Sequence, residues 1–183
     1  MREPAADSSP SYVVIGTSAG GNAALARIFK DLPADLPAAV LVVMHVPASL
    51  VDSALPRQLA GFGRLPVRMA ADGEPIEQGT AYIAPSATHL LVEDGRIRLG
   101  AGPPEQHARP AIDVLFRSAA EAFGPHVIGV VLTGMGKDGA ARVSSRAGLG
   151  EHLVSPSTNP ALHGMNAGVL AGNVTNALPS HRV

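Results

Sequence analysis

The 183-residue chain predicts an α/β fold: a doubly wound, mainly parallel sheet flanked by helices, with an appended antiparallel hairpin. Three observations lead there. Short runs rich in Val and Ile alternate with segments whose apolar residues recur at helical spacing. One run, Ala38 to Met44, is apolar throughout, the pattern of a parallel strand covered on both faces. Apolar residues make up 46% of the chain against 16% charged, a balance that suits a sheet buried between two layers.

Taken in order, residues 1–11 mix Pro, Ala, Ser and charges and read as a flexible N-terminal segment. The rest, 12–183, has no linker or repeat and is expected to form a single domain with one sizeable core. Tyr12 to Ile15 is the first strand, Gly16 to Gly21 a turn, and Asn22 to Lys30 a helix ended by Leu32-Pro33. With Ala38 to Met44 these make a βαβ unit. Pro66 to Ala70 and Thr80 to Ala84 read as shorter strands. His89 to Val92 and Arg96 to Leu99 flank Glu93-Asp94-Gly95, a hairpin turn signal. Gly and Pro mark 100–110 as loop; Ile112 to Phe123 is an amphipathic helix and Val127 to Leu132 another buried strand, a second parallel crossover. The tail from Gly148 to Val183 is the least legible stretch.

The composition excludes several function classes. A net charge of -1 and an aromatic content of 3% leave neither the field nor the stacking platforms for nucleic acid. Without cysteine there is no disulfide, thiolate metal site or cysteine nucleophile. No apolar run reaches membrane-spanning length, and Met1-Arg2-Glu3-Pro4 does not begin a signal peptide, so a soluble, cytoplasmic protein without membrane insertion is expected.

In an open parallel sheet, reactive groups gather beyond the carboxyl ends of the strands. Ser18 lies in Gly16-Thr17-Ser18-Ala19-Gly20-Gly21, between the first strand and its helix, where the Ala19 amide has the placement of an oxyanion donor. His45 directly follows the second strand, and Asp138, in Thr133-Gly134-Met135-Gly136-Lys137-Asp138-Gly139, follows the third buried one. A serine hydroxyl needs a base to become a nucleophile, and the base needs a partner that fixes its tautomer, so these three supply the parts of a triad. Each also has a plainer role. Ser18 fits an N-cap or a phosphate-binding loop, His45 a satisfied polar residue at a strand end, and Asp138 a helix cap. The chain order Ser, His, Asp is not that of the α/β-hydrolases, and the turn matches neither G-x-G-x-x-G nor a P-loop. The other histidines, His89 and His107 among them, lack metal-ligand spacing and read as structural or solvated.

These segments resemble the chemotaxis protein-glutamate methylesterases (CheB-type). The resemblance is carried by Val13-Val14-Ile15-Gly16-Thr17-Ser18-Ala19-Gly20-Gly21 and Val42-Val43-Met44-His45-Val46-Pro47. Asp72-Gly73-Glu74-Pro75-Ile76, Tyr82-Ile83-Ala84-Pro85, Arg109-Pro110, Asp113 to Ala120 and Leu132 to Ala140 follow in the family's order. It implies hydrolysis of glutamate γ-methyl esters on the cytoplasmic helices of a methyl-accepting chemoreceptor or a related signalling protein, with glutamine deamidation as an allowed second reaction. By the same resemblance, Ser18 attacks, His45 is the base, Asp138 orients it, and the Ala19 and Met135 amides hold the oxyanion. No metal or organic cofactor is implied. Ala19 stands where the family often has threonine, and 147–150 and 164–166 match the family's tail only partly. With about eleven residues before the first strand, a free-standing catalytic domain without a receiver domain is expected. Two other readings remain: a non-catalytic or repurposed domain that binds a signalling partner, and an esterase for another ester.

Overall fold

The computed structural model describes residues 12–18, 21–45, 54–132 and 153–154. Among them eight strands form two sheets. The larger is built from β1 (Tyr12–Thr17), β2 (Ala39–Met44), β3 (Val67–Met69), β4 (Ala81–Ile83), β7 (Val127–Val131) and β8 (Leu153–Val154). Its order is β3-β4-β2-β1-β7-β8, and every pairing is parallel. The smaller is the antiparallel hairpin of β5 (His89–Glu93) and β6 (Arg96–Gly100). Asp94 and Gly95 both take positive φ at its turn, as the Asp-Gly signal requires.

Strand alternation sorts the core into two layers. Val13 and Ile15 of β1 and Val40, Val42 and Met44 of β2 face α1 (Asn22–Asp31) and α2 (Leu55–Phe62), where Leu25, Phe29, Leu55 and Leu59 are buried. Val14, Leu41 and Val43 face the opposite way, toward the hairpin and α3 (Ile112–Phe123). Covering both faces explains why β2 is apolar at every position: all six of its residues are buried. A 3₁₀ turn, Gly124–His126, leads from α3 into β7, and the Phe123 ring stacks on Tyr12 with centroids 3.4 Å apart. The end of α3 is thereby tied to the start of β1.

Several details depart from the sequence expectations. The first strand continues through Gly16 and Thr17, which keep their register with Val43 and Met44. Gly16 serves this close packing, since a Cβ there would overlap Cγ2 of Ile112. The helix α2 lies in 46–65, a stretch to which the sequence assigned no element. The segments around β3 and β4 belong to the parallel sheet, although no helix lies between them. The Asp72–Ile76 block instead lines the hairpin. Asp72 Oδ1 accepts the Leu99 N–H at 2.9 Å, and Gly73 N–H and Glu74 O bond Ile97 O and N–H at 2.8 and 2.9 Å. Residues 1–11 and nearly all of the tail lie outside the described residues.

Candidate active site

From β1 the chain steps outward to β2, passes to β3 at the end of the described sheet, comes back to β4 between them, and later returns to β7 on the other flank of β1. That reversal beside β1 is where an open parallel sheet leaves a crevice beyond its carboxyl ends. Ser18 is the first residue past β1 and His45 the first past β2. The last registered pair of these strands is Thr17 with Met44, and the His45 N–H donates to Thr17 O at 2.9 Å. On the other flank the Leu132 N–H donates to Gly16 O at 2.9 Å, so Leu132, the first residue past β7, lies at the same height. Adjacent strands lie about 4.8 Å apart. Ser18 and His45 are therefore neighbours across one strand gap at the carboxyl edge.

The pleat carries the placement further. On β1 Val14 and on β2 Ala39, Leu41 and Val43 belong to the layer under α3. Continued with period two, the same alternation assigns Ser18 and His45 to that face together. Both are half-buried. The turn after Ser18 is closed by Gly21 N–H on Ser18 O at 2.9 Å. Gly21 fills the N-cap position of α1, so Ser18 is not the residue that caps this helix. A side chain at Gly21 would overlap Thr17 Oγ1, which is why the turn has glycine there.

The hairpin and α3 also bury two polar residues to which the sequence assigned no chemistry. His89, 4% exposed, accepts the Ala111 N–H on Nδ1 at 3.2 Å while Nε2 meets Pro103 O at 3.0 Å. The tautomer with hydrogen on Nε2 satisfies both contacts. This matches the structural role expected of His89. Asp113, 5% exposed in the first turn of α3, is a buried carboxylate beside Ile112. Its signal in the sequence was its lone acidic place in an otherwise apolar helix start, where the positive end of the helix dipole favours a carboxylate. Arg117, one turn further, bonds Glu105 Oε1 at 2.7 Å; that bond, opposed by burial, raises the guanidinium above its ordinary pKa. Ala19, Met135 and Asp138 lie outside the described residues.

Among the described residues no group of three or more His, Asp or Glu side chains is placed to hold a metal ion. None of the described helices is long and apolar enough to cross a membrane.

Comparison with known proteins identifies the family. The family model described as CheB methylesterase matches residues 13–182. The protein-glutamate methylesterase/protein-glutamine glutaminase 2 of Anaeromyxobacter dehalogenans is 42% identical over 179 residues, 96% of this chain and 52% of the relative. The corresponding Symbiobacterium thermophilum protein is 40% identical over 174 residues, 93% of this chain and 48% of its own length. The chain thus spans about half the length of the curated relatives it matches. Among solved structures, the Thermotoga maritima CheB methylesterase catalytic domain superposes with a TM-score of 0.69 at 38% identity, covering 74% of this chain and 73% of that one. With these matches running the length of the chain, and 38–42% identity to methylesterases over most of it, the chain belongs to the CheB methylesterase family.

Proposed function

We propose that residues 12–183 form one catalytic unit that hydrolyses glutamate γ-methyl esters, and deamidates glutamines, on the cytoplasmic helices of a methyl-accepting chemoreceptor. The observation that carries this reading is the β1–β2 register, which sets Ser18 beside His45 at the carboxyl edge. The names of the relatives supply the reaction: protein-glutamate methylesterase and protein-glutamine glutaminase. A cytoplasmic location follows from that substrate.

In this mechanism Ser18 Oγ attacks the ester carbonyl as His45 takes its proton. The amides of Ala19 and Met135 hold the oxyanion, and Asp138 keeps the imidazole oriented and offsets its charge. Collapse expels methanol, which receives the proton from His45. Water, deprotonated by His45, then attacks the acyl-enzyme; the ester bond to Ser18 breaks, leaving a glutamate side chain and a reprotonated serine. With a glutamine substrate, ammonia leaves in place of methanol. The protein's own groups supply each step.

The test is methanol release from radiolabelled, methylated chemoreceptor cytoplasmic fragments by wild type, Ser18→Ala and Asp138→Asn. Wild type is expected to release methanol. Ser18→Ala should lower kcat by at least roughly a thousandfold, and Asp138→Asn by on the order of a hundredfold or more. A folded wild type that is silent on several receptors overturns the assignment in favour of a binding domain or another ester. An active Ser18→Ala enzyme overturns the nucleophile.

A further inference from the structure

The segment 101–109 links the hairpin to the start of α3, whose Ile112 packs on Gly16 at the carboxyl end of β1, and so borders the carboxyl rim on the α3 face. It leaves β6 at Gly100, the partner of His89, and ends at the N-cap of α3, Ala111, which His89 also holds. Side chain and backbone bonds fix its course. Glu105 and Ala108 exchange two backbone hydrogen bonds, at 3.1 and 2.9 Å, around Gln106 and His107, whose φ angles are 49° and 66°. Glu105 is tied to Arg117 and Pro103 to His89.

Arg109 is the exposed cation of this rim. Its Nη1 donates to Gly102 O at 3.0 Å and Ala101 O at 3.3 Å, which orients the guanidinium. Carbonyl oxygens do not neutralise a charge, and among the described residues Arg109 makes no ion pair, whereas Arg117 is paired with Glu105. An oriented guanidinium with its other N–H groups open to solvent is a ready carboxylate receptor.

Its distance from the reacting centre suits a helical substrate. Arg109 precedes Ile112 by three residues, and Ile112 packs onto Gly16, two residues before Ser18. The three residues from Arg109 to Ile112 span at most about 10 Å and the two from Gly16 to Ser18 at most about 7 Å. One to two turns of a helix rise about 5 to 11 Å, and the long arginine and glutamyl side chains bridge the rest, so a carboxylate three to seven positions from an ester seated at Ser18 falls within reach of Arg109. We propose that Arg109 is a specificity-determining residue that pairs with a carboxylate on the substrate helix, one to two turns from the modified glutamyl. The inference rests on the methylesterase reading and names how the same site selects its helix.

The experiment uses two methylated chemoreceptor cytoplasmic fragments, identical except that glutamates three, four and seven positions from the ester are kept in one and replaced by alanine in the other. Methanol release is followed with wild type, Arg109→Gln and Arg109→Lys. Wild type is expected to favour the glutamate fragment in kcat/KM by roughly two- to five-fold, the range of a partly exposed ion pair, with the difference in KM. Arg109→Gln should lose that preference and Arg109→Lys keep most of it. Equal losses by Arg109→Gln on both fragments would mean that Arg109 only clamps the loop, and overturn the proposal. An active wild type with no preference overturns it alone; a wild type silent on both fragments overturns the methylesterase reading and the proposal together.

Discussion

The two ring nitrogens of His89 hold two separate segments, the start of α3 through the Ala111 N–H and the rim loop through Pro103 O. Replacing the ring with leucine keeps an apolar volume but leaves a fully buried N–H without its acceptor. His89→Leu should therefore destabilise the fold by about 1–3 kcal/mol, read as a lower urea midpoint with an unchanged slope. An unchanged midpoint would show that the Ala111 amide finds another acceptor. The residue scale also shows what a sequence can and cannot disclose. The strand-end positions of Ser18 and His45 were legible because each lies within three residues of an apolar run, and a strand end fixes height in the sheet without knowledge of distant partners. The anchoring role of His89 was not, because its partners are 22 and 14 residues away and announce themselves by no spacing. Asp113 was visible as the lone acidic residue of an apolar helix start, but its burial was not. Its burial depends on how α3 lies against β1.

Among the elements, those with strong periodicity were legible and those with punctuating residues were not. The run that became β2 is apolar at each position, and α3 repeats its apolar residues over three turns. In α2, Pro56 and Gly61 suggest a turn, yet proline in the first turn of a helix is a start signal, lacking only an N–H that would have no partner there. Leu55 and Leu59, four apart, put one buried stripe against the layer that holds Leu25 and Phe29. An eight-residue helix has little intrinsic stability, so it persists through this packing. Leu59, 1% exposed, is its main anchor. Leu59→Ala should cost about 2–5 kcal/mol by transfer and cavity formation, checked by urea unfolding, and should leave the far-UV signal of the other elements in place. A loss well under 1 kcal/mol would mean that the layer collapses around the gap.

For the whole molecule, the strand order ranks stability along the sheet. β1 and β2 are interior strands, paired on both sides and covered by helices on one face and by the hairpin and α3 on the other. β3 has three residues, ends the described sheet and pairs only with β4, with partly exposed side chains. Opening β3 breaks one ladder and exposes little apolar surface; opening β1 breaks two ladders and both core layers. Native-state hydrogen exchange should find the amides of Val14, Ile15, Leu41 and Val42 exchanging only through global unfolding, with β3 amides exchanging faster by local opening. In the proposed mechanism the same hierarchy protects Ser18 and His45, which extend from the two strands expected to open last. If β3 amides instead showed the protection of β1, the sheet would open as a single unit. The edge would then be held by its side chains, chiefly Arg68 bonded to Tyr82 Oη at 3.0 Å and to Glu74 and Glu77 at 3.2 Å. Repeating the exchange with Arg68→Ala separates the two cases: it would release β3 alone if those bonds hold the edge, and change little if β3 already opens on its own.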